Sequence, residues 1–266
     1  MFKFQSYVQF HKTIGQVDAV VTFTEVAIRA LRRDWEKAGS ARAYLEGLST
    51  ELGAFVGHVD PEMLTARTNQ LHIVSLVQHF EAFLRDIGDE HPSQSTWLKR
   101  KSDEPLLEYT WEHLTKGAAV PDAIRTEWDL MEYYREARSR FLHSVDKKDP
   151  KARDLKDRVA RHSRLSKIGG PNSYADLRFE DFVLAARAAM AVAKSLSALG
   201  RPTDRQIAEM VFRQRKENVK SLAGLKALAT GKEFLYRKMR RILESLYGLK
   251  GDECTNVITI LIGRLN

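Results

Sequence analysis

Cysteine is almost missing from this chain: Cys254 is the only one in 266 residues. A lone thiol excludes an internal disulfide framework and fits a reducing compartment. It leaves no cysteine pair for a zinc site, and no His/Cys cluster makes up for it. Proline and glycine are sparse, at 7 and 15 residues, so long disordered or low-complexity tracts are not expected. Long apolar runs are missing as well. The longest, VITILI at 257–262, falls far short of the roughly 20 residues that cross a bilayer. The segment MFKFQSYVQFHK lacks the charged start, apolar core and small-residue cleavage site of a signal peptide. A cytoplasmic location with no membrane partner is therefore expected, and neither a cofactor nor a metal.

What the chain has in excess is positive charge, a net +8 at pH 7. The surplus is uneven. From Arg201 onward there are 14 Lys/Arg against 7 Asp/Glu, which leaves 29 basic and 28 acidic residues in the first 200. A polyanionic partner fits such a tail, and so does an ordinary solvated helical surface.

Helical periodicity dominates. Apolar residues recur every three or four positions over 17–38, 41–59 and 61–87, and no alternating run is long enough to build a sheet. Asp60-Pro61 suits a helix start, whereas Gly88 and the following DEHPSQS suit a stop. Further helices are expected around 104–116, 121–146 and 177–199, then in the stretches beginning at Thr203 and Lys232. SKIGGPNSY reads as loop. The fold class is all-α, with expected divisions into an N-terminal helical extension (1–60), a central helical domain (61–200) and a basic C-terminal helical region (201–266).

The stretch REARSRFLHSVD, residues 135–146, carries the chemistry. With about 100° per residue, its apolar stripe is Leu130, Tyr134, Ala137, Phe141 and Val145. Arg138 then lies at about +100° and His143 at about −120° from the stripe's centre, separated by a rise of about 7.5 Å. They border one polar face that also holds Glu132, Arg135, Ser139 and Asp146. From one straight helix they do not converge on a single atom. Two copies packed about a two-fold axis would line a groove with two arginines and two histidines. Imidazole can move a proton near pH 7, and guanidinium can fork onto phosphate oxygens as charge builds there. Glu136 and Arg140, four apart, also suit a plain surface ion pair.

The segment REARSRFLHS resembles the signature of the HEPN superfamily, an all-α group marked by Arg, four to six residues, then His. Arg138 and His143 match the shortest spacing. Ser139 stands where asparagine is common, and Arg140 interrupts an interior that is mostly apolar in the family. Upstream, HIVSLVQHFEAFLRDIGDE (72–90) resembles the long first helix of HEPN domains, with Glu81 in the position of an acidic residue that orients the active-site Arg or His. An ion pair with Arg85 is the other role open to Glu81. The alanine-rich helix at 177–199 would close the bundle.

The resemblance covers roughly residues 61–200 and implies a HEPN-like bundle with added N- and C-terminal helices. It implies a metal-independent endoribonuclease, acting as a homodimer through the motif helix, of the kind found in phage-defence, CRISPR and toxin–antitoxin systems. The expected partners are RNA and an antitoxin or defence-system protein. Some HEPN members lack catalysis and bind RNA, a nucleotide or a partner. A helical DNA-binding regulator is the further alternative, resting on the basic tail alone. RNA contacts are expected from Arg135 and Ser139, from the basic stretch with Lys147, Lys148, Arg161, Arg164 and Lys167, and from Arg237, Lys238, Arg240 and Arg241.

Overall fold

The computed structural model describes residues 2–54, 60–143, 157–161, 171–216 and 232–265. Among the described residues about 80% are helical and no strand occurs. The fold is all-α. In chain order the helices are α1 (Gln5–Lys37), α2 (Ala41–Leu52), α3 (Pro61–Glu90), α4 (Leu106–Thr115), α5 (Arg125–His143), α6 (Phe179–Leu199), α7 (Asp204–Lys216), α8 (Lys232–Tyr247) and α9 (Gly251–Leu265). Short 3-10 turns sit at Gln94–Thr96 and Asp122–Ile124.

The described chain groups into two compact units, each made of separate segments. The first takes residues 1–10, 81–119 and 193–266. Phe2 and Phe4 are buried there; Phe2 stacks on Tyr247 at 5.6 Å, and the Lys3 amide donates to the Tyr247 carbonyl at 2.8 Å. The first turn of α1 has no side chain of its own for a cap. Glu90 supplies it, accepting from the amides of Gln5 at 2.7 Å and Ser6 at 2.8 Å. A carboxylate at that end also meets the positive pole of the helix. At α7, Thr203 and Gln206 exchange amide and side-chain hydrogen bonds as a capping box. Helix α9 packs on α7 and α8, and Val257, Ile258 and Leu261 of the VITILI run are buried. Gly200 ends α6 beside Leu114, where an added Cβ would sit 2.8 Å from the Leu196 carbonyl.

The second unit takes residues 11–80 and 120–192. Its core holds Ile14, Val21 and Trp35 of α1, Ile73, Leu76 and Val77 of α3, Leu130, Tyr134 and Ala137 of α5, and Phe182, Ala185, Ala188 and Ala189 of α6. Alanines on α6 let neighbouring backbones approach closely. By length and composition α6 could cross a bilayer, but half of that apolar stretch is buried inside the protein. Helix α2 starts at its Ser40 cap and stops at Gly53, which adopts a left-handed conformation with φ 65°. It is therefore shorter than the 41–59 expected from periodicity, and 55–59 fall outside the described residues.

Candidate functional site

The helix carrying the motif, α5, is held by two adjacent tyrosines. The Tyr134 hydroxyl donates to Asp181 at 3.0 Å, and the Tyr133 hydroxyl donates to the Asn172 carbonyl. Asp181 is fully buried yet well satisfied: it also accepts from the Asn172 amide at 2.9 Å, the Asn172 side chain at 2.8 Å and the Arg178 amide at 2.8 Å. The last bond reaches back across the first turn of α6, so one carboxylate both caps α6 and ties α5 to it. Burial raises the pKa of both phenols, and the Asp181 charge raises them further. Both stay protonated donors.

Along α5 the expected stripe of Leu130, Tyr134 and Ala137 is buried. Burial is wider than one stripe, because Trp128, Asp129, Met131 and Tyr133 are buried too. Arg158, from the turn at 157–161, covers part of the polar face: it reaches Glu132 at 2.8 Å and Asp129 at 3.8 Å. Further along, Arg135, Arg138 and Ser139 are half-buried on the same helix. Arg135 has no ion-pair partner among the described residues. Arg140 differs sharply from a solvated arginine. Its side chain is 9% exposed, paired with Glu136 at 3.2 Å, with the guanidinium 5.0 Å from the centre of the Tyr174 ring. His143 is the last residue of α5; its side chain lies outside the described set.

Glu81 lies on α3 and pairs with Arg85 at 3.6 Å. It belongs to the first unit, whereas the motif helix belongs to the second. Of the basic stretch after the motif, Arg161 is exposed, and Lys147, Lys148, Arg164 and Lys167 lie outside the described residues. Arg237, Lys238, Arg240 and Arg241 share α8. Two of them are engaged within the helix: Arg237 with Glu233 at 3.6 Å and Arg240 with Glu244 at 3.0 Å. Lys238 and Arg241 have no such partner among the described residues.

Sequence reasoning missed a cavity of about 590 Å³ in the second unit, between α1, α3 and the start of α6. Three arginines line it, each already paired: Arg29 with Glu25 at 2.6 Å, Arg32 with Glu62 at 2.9 Å, and Arg178 with Asp176 at 3.0 Å. Glu180 adds a fourth carboxylate, 3.6 Å from Arg29. Ile28, Leu177 and Phe179 supply apolar wall. The amide oxygen of Asn69, a residue 5% exposed, accepts no hydrogen bond among the described residues. Two of these arginines stand on α1 and one precedes α6, nearly 150 positions later, so no local pattern could have announced the cavity. Among the described residues no cluster of His, Cys, Asp and Glu is suited to hold a metal ion.

No family model matches the chain, and neither a characterised protein nor a solved structure does.

Proposed function

We propose that this protein is a metal-independent endoribonuclease of HEPN type, working in the cytoplasm as a dimer through α5. The observation that carries this reading is the placement of Arg140. It is the residue that departs from the family's apolar interior, and it is packed on Tyr174 and Glu136 at 9% exposure. It thus fills an inward position, which supports reading Arg138 and His143 as the polar pair of the motif.

In this mechanism His143 takes the proton from a ribose 2′-hydroxyl as that oxygen attacks phosphorus. The P–O5′ bond breaks, and a histidine returns a proton to the leaving 5′-oxygen. Arg138 forks onto the phosphate oxygens that gain charge. The products are a 2′,3′-cyclic phosphate and a 5′-hydroxyl. Arg135 and Arg161 hold backbone phosphates of the RNA, as do Lys238 and Arg241 on α8, in a role in phage defence or a toxin–antitoxin pair. The test is cleavage of single-stranded RNA in the presence of EDTA by the wild type, Arg138→Ala and His143→Ala. Equal cutting by all three proteins sinks the proposal.

The second reading is a binding module without catalysis, which the cavity at Asn69 favours. Four carboxylates against three guanidinium groups make that cavity a poor host for a nucleotide's phosphates and a better one for a neutral or cationic guest. Calorimetric titration of the purified chain with nucleosides and small amines would test it. Heat of binding that is unchanged in Asn69→Leu would place the guest elsewhere.

A further inference from the structure

Helix α1 has two apolar sides, and the fold uses one of them. Ile14, Val21 and Trp35 face the core of the second unit, and Ile28, Arg29 and Arg32 line its cavity. On the opposite side Phe23 is 76% exposed, Val20 65% and Val26 61%. By the 100° rotation of a helix, Lys12, Gln16, Ala19, Val20, Val26, Ala27, Ala30 and Asp34 all fall within about 60° of Phe23. Lys12, Gln16, Ala19 and Ala30 are exposed, and Ala27 and Asp34 are half-buried. Three- and four-residue spacing through 16, 19, 23, 26 and 30 is that of a coiled-coil seam.

This stripe is a palindrome about Phe23. Counting outward, Val20 mirrors Val26, Ala19 mirrors Ala27, and Lys12 mirrors Asp34. We infer that α1 is a docking surface for α1 of a second copy, antiparallel, with the two-fold axis passing beside Phe23. The charges decide the orientation. Antiparallel pairing sets Lys12 opposite Asp34 at both ends, whereas parallel pairing sets Lys12 against Lys12 and Asp34 against Asp34. Lys12 has no ion-pair partner among the described residues, and Asp34 is engaged through one oxygen, by Arg33 at 3.3 Å. The alanines at 19, 27 and 30 let the two helices approach closely around the paired Phe23 rings.

Size also fits. Lys12 to Asp34 spans about 33 Å of helix, and two such stripes can hide on the order of 1,000 Å² in total, where specific interfaces begin. The apolar side chains of this face are also concentrated near its centre, with charge at the ends, as in an interface core and rim. The interface does not depend on RNA cleavage, and α5 is not part of it.

The test combines sedimentation with cross-linking of the full chain. The wild type should self-associate through α1 at micromolar concentration. Phe23→Glu should sediment at a smaller mass than the wild type, a dimer if α5 also pairs and a monomer if it does not, with unchanged helical circular dichroism. Phe23→Cys sits on the axis and should close a disulfide with its own copy under mild oxidation. A mixture of Ala19→Cys and Ala27→Cys chains should cross-link to each other faster than either does to itself. Lys12→Glu should weaken the dimer at least about tenfold, and adding Asp34→Lys should restore it. A wild-type monomer, or a sedimenting mass that Phe23→Glu leaves unchanged, overturns the inference, whereas a dimer that remains after a larger assembly is lost is the one expected through α5. So does self-linking of Ala19→Cys in preference to the mixed pair.

Discussion

Tyr134 and Asp181, 47 positions apart in the chain, meet at 3.0 Å in a fully buried hydrogen bond that joins the motif helix to α6. The two ends are not equivalent. Tyr134→Phe removes one donor and leaves Asp181 with the Asn172 and Arg178 bonds, so it should cost about 1–2 kcal/mol. Asp181→Ala strands the phenol, two amides and a helix end, and should cost about 3–5 kcal/mol. Urea denaturation of the three proteins checks the order; equal losses would mean that the aspartate's other bonds carry nothing.

Replacement within the motif should separate chemistry from packing. Arg138→Ala and His143→Ala should each lower the rate of RNA cleavage by at least about 100-fold with the fold retained. Arg140→Met should keep most of the rate and lose stability instead, because that side chain lies on Tyr174. Single-turnover cleavage and thermal melts, run side by side, read both quantities.

Arg158 bridges Glu132 and Asp129 while remaining partly open to solvent, so its contribution is set by screening. Arg158→Ala should cost about 1 kcal/mol, and the double variant with Glu132→Ala should cost less than the sum of the singles. A double-mutant cycle repeated at high salt should show that coupling shrink.

His91 gives the chain a dependence on pH. Burial, then the nearby Lys116 charge, lowers its pKa below the ordinary 6.5, against a smaller opposing pull from the Gly200 backbone. His72 is lowered in the same direction, chiefly by burial. In both cases the unfolded chain takes up protons first. Their contribution to stability is therefore complete above about pH 6.5 and is lost as pH falls through the lower folded-state values. Melting temperatures between pH 7.5 and 5 should fall, and His91→Gln should flatten the slope.

On α8 the four basic residues should not act alike if the helix holds RNA. Lys238→Ala with Arg241→Ala should reduce the salt dependence of RNA binding by about one unit of slope per lost phosphate contact. Arg237→Ala with Arg240→Ala should do less, since each of those already neutralises a glutamate. Filter binding across a salt series distinguishes the pairs.

The helices were legible in the sequence because their apolar spacing is regular and some of their ends carry Pro61 or Gly200. One start, the end of α2 at Gly53 and one whole helix were not. Helix α1 begins at Gln5, well before the Val17 expected from its apolar pattern, because its cap is Glu90, 85 positions away. Helix α9 was overlooked since VITILI alone looks like a short apolar run; its polar first turn, GDECTN, supplies the rest of the helix. Within the motif, spacing identified Arg138 and Arg140 as arginines on one helix but could not tell which was buried. That distinction comes from Tyr174, which lies on a separate segment. The palindrome on α1 was present in the sequence from the start, yet it gained meaning only when Phe23 was found exposed rather than in the core.

Gly200 offers a way to recognise kin of this chain. A methyl group there would press on a carbonyl and on Leu114, neither of which can swing away as a flexible side-chain tip would. Drift in sequence should therefore erase surface arginines long before it erases that glycine. A distant homologue should still show a Tyr, an Asp about 47 positions on, and a Gly about 19 after that. Such a three-point ruler is suited to searching genomes where overall identity has faded.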